Sequence, residues 1–152
     1  MVFTVRKLFS GEMTPTIMKQ KSRLVSKSDP LRVLVADDVL MNRSFALRLL
    51  EGEGHEVRFA TNGEHAVSEL QDGQFDLILM DVEMPVMNGI EATRQIRARE
   101  QSTGTRTPIV ALTSGKYRDE CLAAGMDAFL SKPLKVGDLN RVLERVLGGR
   151  AA

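Results

Sequence analysis

Residues 75–90 read FDLILMDVEMPVMNGI. Leu77, Ile78, Leu79 and Met80 form an unbroken apolar run; one carboxylate, Asp81, follows it, and Pro85 breaks the pattern. A run this short between turn signals predicts a strand buried on both faces, the state of a central parallel strand. Asp81 then stands where the buried strand emerges, ahead of Gly89 and a helical pattern. Ligands of open α/β sheets gather at the carboxyl ends of the strands. What the other strands carry to that edge therefore decides the reading.

Upstream, residues 31–36 (LRVLVA) predict a strand that closes on two adjacent acids, Asp37 and Asp38. From Asn42 to about Glu53 the apolar positions Phe45, Ala46, Leu49 and Leu50 follow helical spacing, with Gly52 and Gly54 as the stop. His55 to Ala60 is a second strand, and Thr61-Asn62-Gly63 turns into a helix with Ala66, Val67 and Leu70 on one face. Downstream of Pro85, a helix carries one apolar stripe (Ile90, Thr93, Ile96) and several exposed cations, Arg94 and Arg97 among them, before the loop at residues 102–105. Ile109 to Leu112 is a strand closing on Thr113, and a short helix from Arg118 to Ala124 ends at Gly125. Met126 to Leu130 is the fifth strand, leading to Lys132-Pro133. A last helix, Val136 to Leu147, turns Leu139, Val142, Leu143 and Val146 inward and stops at Gly148-Gly149. Five strands alternating with five helices predict a parallel α/β sheet covered on both faces, in the doubly wound order 2-1-3-4-5. The switch point of that order lies between the strands that end in Asp37-Asp38 and in Asp81.

The chain's 152 residues allow one domain with spare length. The net charge of +1 conceals an asymmetry: residues 1–30 hold six Lys/Arg against Glu12 and Asp29, and the remainder holds 15 basic and 18 acidic residues. The expected organisation is a basic, flexible N-terminal tail over 1–29, a folded domain over 30–148 and a short C-terminal tail over 149–152. Without Trp and with one Tyr, base stacking on nucleic acid is not expected. A single cysteine, Cys121, and no apolar stretch of spanning length predict a cytoplasmic protein with no membrane span. His55, His65 and the methionines Met80, Met84, Met87 and Met126 read as packing or surface residues.

Four strand ends deliver chemistry to one edge: Asp37 and Asp38, Asp81, Thr113 and Lys132. Three converging carboxylates repel one another unless a cation sits among them, and a few carboxylates plus water suit Mg²⁺. A hydroxyl and a point positive charge opposite the metal match the remaining oxygens of a phosphoryl group. The reaction this predicts is phosphoryl transfer onto Asp81 as nucleophile, with Thr113 and Lys132 assisting.

The segments VADDVLMNR, LILMDVEMPVMNGIEATRQIR, PIVALTS and AAGMDAFLSKPL, in that order, resemble the receiver domain of response regulators in two-component signalling, closest in style to the receivers of hybrid histidine kinases. The resemblance covers about Leu31 to Leu147. It implies a flavodoxin-like fold and phosphate arriving on Asp81 from the phosphohistidine of a histidine kinase or phosphotransfer protein. It further implies Mg²⁺ bound by Asp38 directly, by Asp37 largely through water, by Asp81 and by the backbone carbonyl of Glu83. Thr113 and Phe129 fall on the family's switch positions, and the Lys132–Pro133 bond is implied to be cis. One departure stands out: Thr113 and Lys132 are 19 positions apart, fewer than family members usually have, with the shortening in the loop and start of the fourth helix.

Only GGRAA follows Leu147, so no DNA-binding effector and no direct nucleic-acid contact are expected; the target would be another protein. Such a chain would act by docking to partners or by passing phosphate onward in a phosphorelay, catalysing at most its own phosphorylation and dephosphorylation. Two alternatives are a haloacid-dehalogenase-like phosphatase, which needs a second Asp where Glu83 stands, and a receiver-like binding module that is never phosphorylated.

Overall fold

A computed structural model describes residues 30–151, and the tail expected over 1–29 lies outside the described residues. Five parallel strands, β1 (Arg32–Ala36), β2 (Glu56–Ala60), β3 (Leu77–Asp81), β4 (Ile109–Thr113) and β5 (Ala128–Ser131), form one sheet in the order β2-β1-β3-β4-β5. The expected order and handling of the two faces hold. Five helices connect and follow the strands: α1 (Leu40–Gly52), α2 (Gly63–Asp72), α3 (Gly89–Thr103), α4 (Arg118–Ala124) and α5 (Val136–Ala151).

Alternate strand residues point to opposite faces of a sheet, and two cores result. Val33, Val35, Leu77, Leu79, Val110 and Leu112 pack with Ala46 and Leu50 of α1 and with Leu139 and Val142 of α5. Leu34, Ile78, Met80, Ile109 and Ala111 pack with Ala66 of α2, Ala92 and Ile96 of α3 and Cys121 and Ala124 of α4. β3 is buried at every position, as its unbroken apolar run requires.

Three details differ from the sequence reading. Phe45 does not join the core: it is 46% exposed, because the inward stripe of α1 runs through Ala46 and Leu50. α3 continues through the segment read as a loop and ends at Gly104, whose left-handed φ of 76° closes the helix with its N–H on the Glu100 carbonyl. α5 does not stop at Leu147 but runs to Ala151. Glycine lowers helix propensity without forbidding the helix, and Gly148 is not among the glycines with positive φ.

Candidate phosphoryl-transfer site

Register places the acids. Ala36 pairs with Met80 across β1 and β3, so Asp37 and Asp81 leave adjacent strands at the same level. Carboxylate oxygens of Asp37, Asp38 and Asp81 all lie within 4.8 Å of one another. Asp37 and Asp81 are buried, whereas Asp38 is exposed. Thr113 pairs with Ser131 at the end of β4 and β5, so Lys132 emerges at that edge as well. It is two strand spacings, roughly 10 Å, from β3, and its extended side chain closes the gap: Nζ donates to Asp81 Oδ1 at 2.9 Å. The Lys132–Pro133 bond is cis.

Local structure leaves no slack around Asp81. A Cβ at Gly89 would stand 2.2 Å from the Asp81 carbonyl oxygen and 2.8 Å from Met80 Cγ, so only glycine lets α3 begin this close to the strand end. The Gly89 N–H returns to the Val82 carbonyl, and Asn88 caps the helix by accepting from the Glu91 N–H. The Glu83 N–H donates to Asp81 Oδ1 at 3.3 Å. Oδ1 is thus held twice, while Oδ2 accepts no hydrogen bond from the described residues. Burial pushes the Asp81 carboxyl above the ordinary range, Asp37 adds to the shift by repulsion, and the bonds from Lys132 and Glu83 oppose it.

Asp37 is held by residues that the sequence reading did not single out. Asn42 Nδ2 reaches both of its carboxylate oxygens at 3.3 and 3.2 Å, the Val39 N–H binds Oδ1, and Arg43 donates to its backbone carbonyl. The signal was present in VADDVLMNR, since a helix starting at Leu40 brings position 42 back over the strand end within one turn. Thr113 is buried beside this cluster, but its hydroxyl is engaged by its own loop, donating to the Lys116 carbonyl and accepting from the Gly115 N–H, both at 3.1 Å. Phe129 is half-buried on β5, against the α2–α4 core. Next to Asp38, Glu83, Asn88, Tyr117 and Glu120 line an open cleft of about 590 Å³.

The donor set is all oxygen and crowded; among the described residues Lys132 is the one cation paired with a carboxylate of the cluster, while Arg43 donates to the Asp37 backbone carbonyl. That is the chemistry of a site for a hard divalent ion. Residues 33–144 match the response regulator receiver domain. The chain belongs to that family. Hybrid signal transduction histidine kinase G of Dictyostelium discoideum is 40% identical to this receiver over 126 residues, covering 80% of this chain and 4% of the kinase. Sensor histidine kinase GacS of Pseudomonas protegens is 36% identical over 148 residues, covering 95% of this chain and 16% of the kinase. This receiver therefore spans less than a fifth of the length of these curated relatives. Among solved structures it resembles the receiver domain of a Pseudomonas aeruginosa sensor histidine kinase with a magnesium ion coordinated in the active-site cleft, at 37% identity and a TM-score of 0.71 over 78% of this chain and 98% of that one. It also resembles a chain from the complex of a Saccharomyces cerevisiae histidine phosphotransfer protein with the receiver of its downstream response regulator, at 29% identity and a TM-score of 0.71, over 76% of this chain and 87% of that one. Among the described residues no helix is long and apolar enough to cross a membrane.

Proposed function

We propose that this receiver takes a phosphoryl group onto Asp81 from the phosphohistidine of a histidine kinase or phosphotransfer protein and signals by repacking around Thr113 and Phe129. The observation that carries the reading is a buried carboxylate held at one oxygen by Lys132, with two further carboxylates within 4.8 Å. Asp37, Asp38, Asp81 and the Glu83 carbonyl would hold Mg²⁺, which when bound supplies positive charge to offset that of the incoming phosphoryl oxygens. Asp81 is the nucleophile: its new O–P bond forms as the P–N bond of the donor breaks, and the proton balance falls to the donor imidazole. Lys132 stays on the same side of the carboxylate and neutralises phosphoryl charge from there. Thr113, once its hydroxyl leaves the Lys116 carbonyl, supplies a further hydrogen bond.

A phosphohistidine reaches Asp81 only if its protein covers the carboxyl edge of the sheet. Leu40, Met41 and Phe45 of α1, Val86 in the β3–α3 loop and Val136 at the start of α5 are large apolar residues left exposed around that edge. They offer a partner an adhesive rim around a polar centre, the usual anatomy of a protein interface. The yeast complex supports the same partner class by likeness. A reducing, cytoplasmic setting suits the one cysteine of the chain, which is buried and unpaired.

Incubation with Mg²⁺ and acetyl phosphate tests this. The expected product is an acid-stable, base-labile label, absent in Asp81→Asn. Sustained turnover of a phosphomonoester would favour a haloacid-dehalogenase-like phosphatase instead, and complete absence of label would favour a binding module.

A further inference from the structure

The shortened segment between Thr113 and Lys132 leaves four residues, 114–117, to join β4 to α4. They close the connection with Gly115 at a φ of 110° and Tyr117 at 65°, a left-handed conformation that a side chain as large as tyrosine rarely adopts. Within this turn the Lys116 carbonyl and the Gly115 N–H both bind the Thr113 hydroxyl. Immediately after it, the Arg118 guanidinium carbon lies 4.3 Å from the centroid of the Phe129 ring. Among the described residues Arg118 makes no ion pair, and the ring is the one specific contact of its guanidinium. Ala111 pairs with Phe129 and Thr113 with Ser131, which puts Thr113 and Phe129 on one face of the sheet as diagonal neighbours.

Two side chains thus hang from one short piece of backbone, with Lys116 and Arg118 only two residues apart. Withdrawing the Thr113 hydroxyl would break its bond to Lys116 and free the turn that leads into Arg118. We propose that Arg118 is a latch: a positioning residue whose cation–π contact holds Phe129 in the unphosphorylated packing and so sets how readily the receiver switches. The proposal rests on Asp81 being the phosphoacceptor. When the competent packing is the minor one, weakening the resting packing raises its population, and hence the labelling rate, by the full factor lost. For a solvent-exposed cation–π contact that factor is about two- to fivefold.

Arg118→Ala in the full chain, labelled with acetyl phosphate and Mg²⁺, tests it, because Arg118 is exposed and its loss does not threaten the fold. The expected result is an initial rate about two- to fivefold above the unsubstituted protein, with no further gain when Arg118→Ala is added to Phe129→Leu. The ring resonances of ¹³C-labelled Phe129 in the unphosphorylated protein should also move in Arg118→Ala. An unchanged rate, or the same gain in the Phe129→Leu background, overturns the latch. If the unsubstituted protein takes no label on Asp81, the acceptor reading fails instead. The Phe129 resonances then decide the latch alone: unmoved, they overturn it.

Discussion

The two edges of the sheet handle charge in opposite ways. At the amino edge of β4 and β5, Arg97 is only 12% exposed and four of its five N–H donors are used: it donates to the Gly125 and Thr107 carbonyls, to Glu100 at 2.6 Å and to Asp127 at 2.8 Å. Glu100 accepts the Thr107 N–H with its other oxygen, and Asp127 also takes the Ile109 N–H and Arg106. At the carboxyl edge three acids share one lysine. A nearly saturated network of opposite charges fixes structure, whereas a group of like charges short of counter-charge stores a demand for a ligand. The difference separates a clamp from a binding site better than the number of charged residues does.

Breaking the clamp should have the largest effect. Arg97→Ala leaves Glu100 half-buried without its cation and Asp127 with Arg106 alone, and should cost about 3 kcal/mol in chemical denaturation, while the molecules that remain folded still label on Asp81. Lys132→Ala removes the one cation that pairs with a carboxylate of the acidic cluster among the described residues. Its stability should fall by about 1–2 kcal/mol, less than for the clamp because Lys132 is partly exposed; labelling by acetyl phosphate should fall by about a hundredfold.

Asp81→Asn should move the other way and stabilise the fold by roughly 1 kcal/mol at neutral pH in Mg²⁺-free buffer. A carboxyl whose folded pKa is raised contributes stability that is full below its unfolded value, 3.8, and is lost as pH rises through the folded value. The ionised Asp81 is therefore a net cost that the amide removes, and the advantage should vanish in melts below pH 3.8. The smallest effect belongs to the amino edge. His55 Nδ1 accepts the Leu31 N–H, and burial lowers the pKa of the ring. Its contribution is present above the unfolded value of 6.5 and is lost as pH falls through the folded one. His55→Asn, which keeps an acceptor, should flatten the stability profile between pH 7 and 5 by about a few tenths of a kcal/mol; equal slopes would remove His55 from the account.

Much of this was legible along the chain. The strands are short apolar runs closed by turn residues, and the acids, Thr113 and Lys132 stand at their ends, so a parallel sheet in the observed order brings them to one edge. Arg97 was misread as a surface cation because helical periodicity counts it outside the apolar stripe; Glu100 lies on its own helix, but its partners Thr107, Gly125 and Asp127 come from the amino ends of β4 and β5. Phe45 was misread in the reverse sense, being apolar at a helical spacing yet turned to solvent. The hold of Asn42 on Asp37 is written locally in VADDVLMNR, whereas the contact of Arg118 with Phe129 joins two elements through space, and no local pattern announces it.

From sequence alone follow the element order, the buried character of β3 and the set of groups brought to the carboxyl edge, because strand burial and turn chemistry are written in neighbouring residues. Tertiary structure decided which oxygen of Asp81 Lys132 occupies, where the Thr113 hydroxyl rests, and which charges are satisfied. The Thr113 hydroxyl settles within its own loop; the other outcomes depend on distances of a few ångströms between residues mostly far apart in the chain, and hydrogen bonds and ion pairs are made or lost over just such distances.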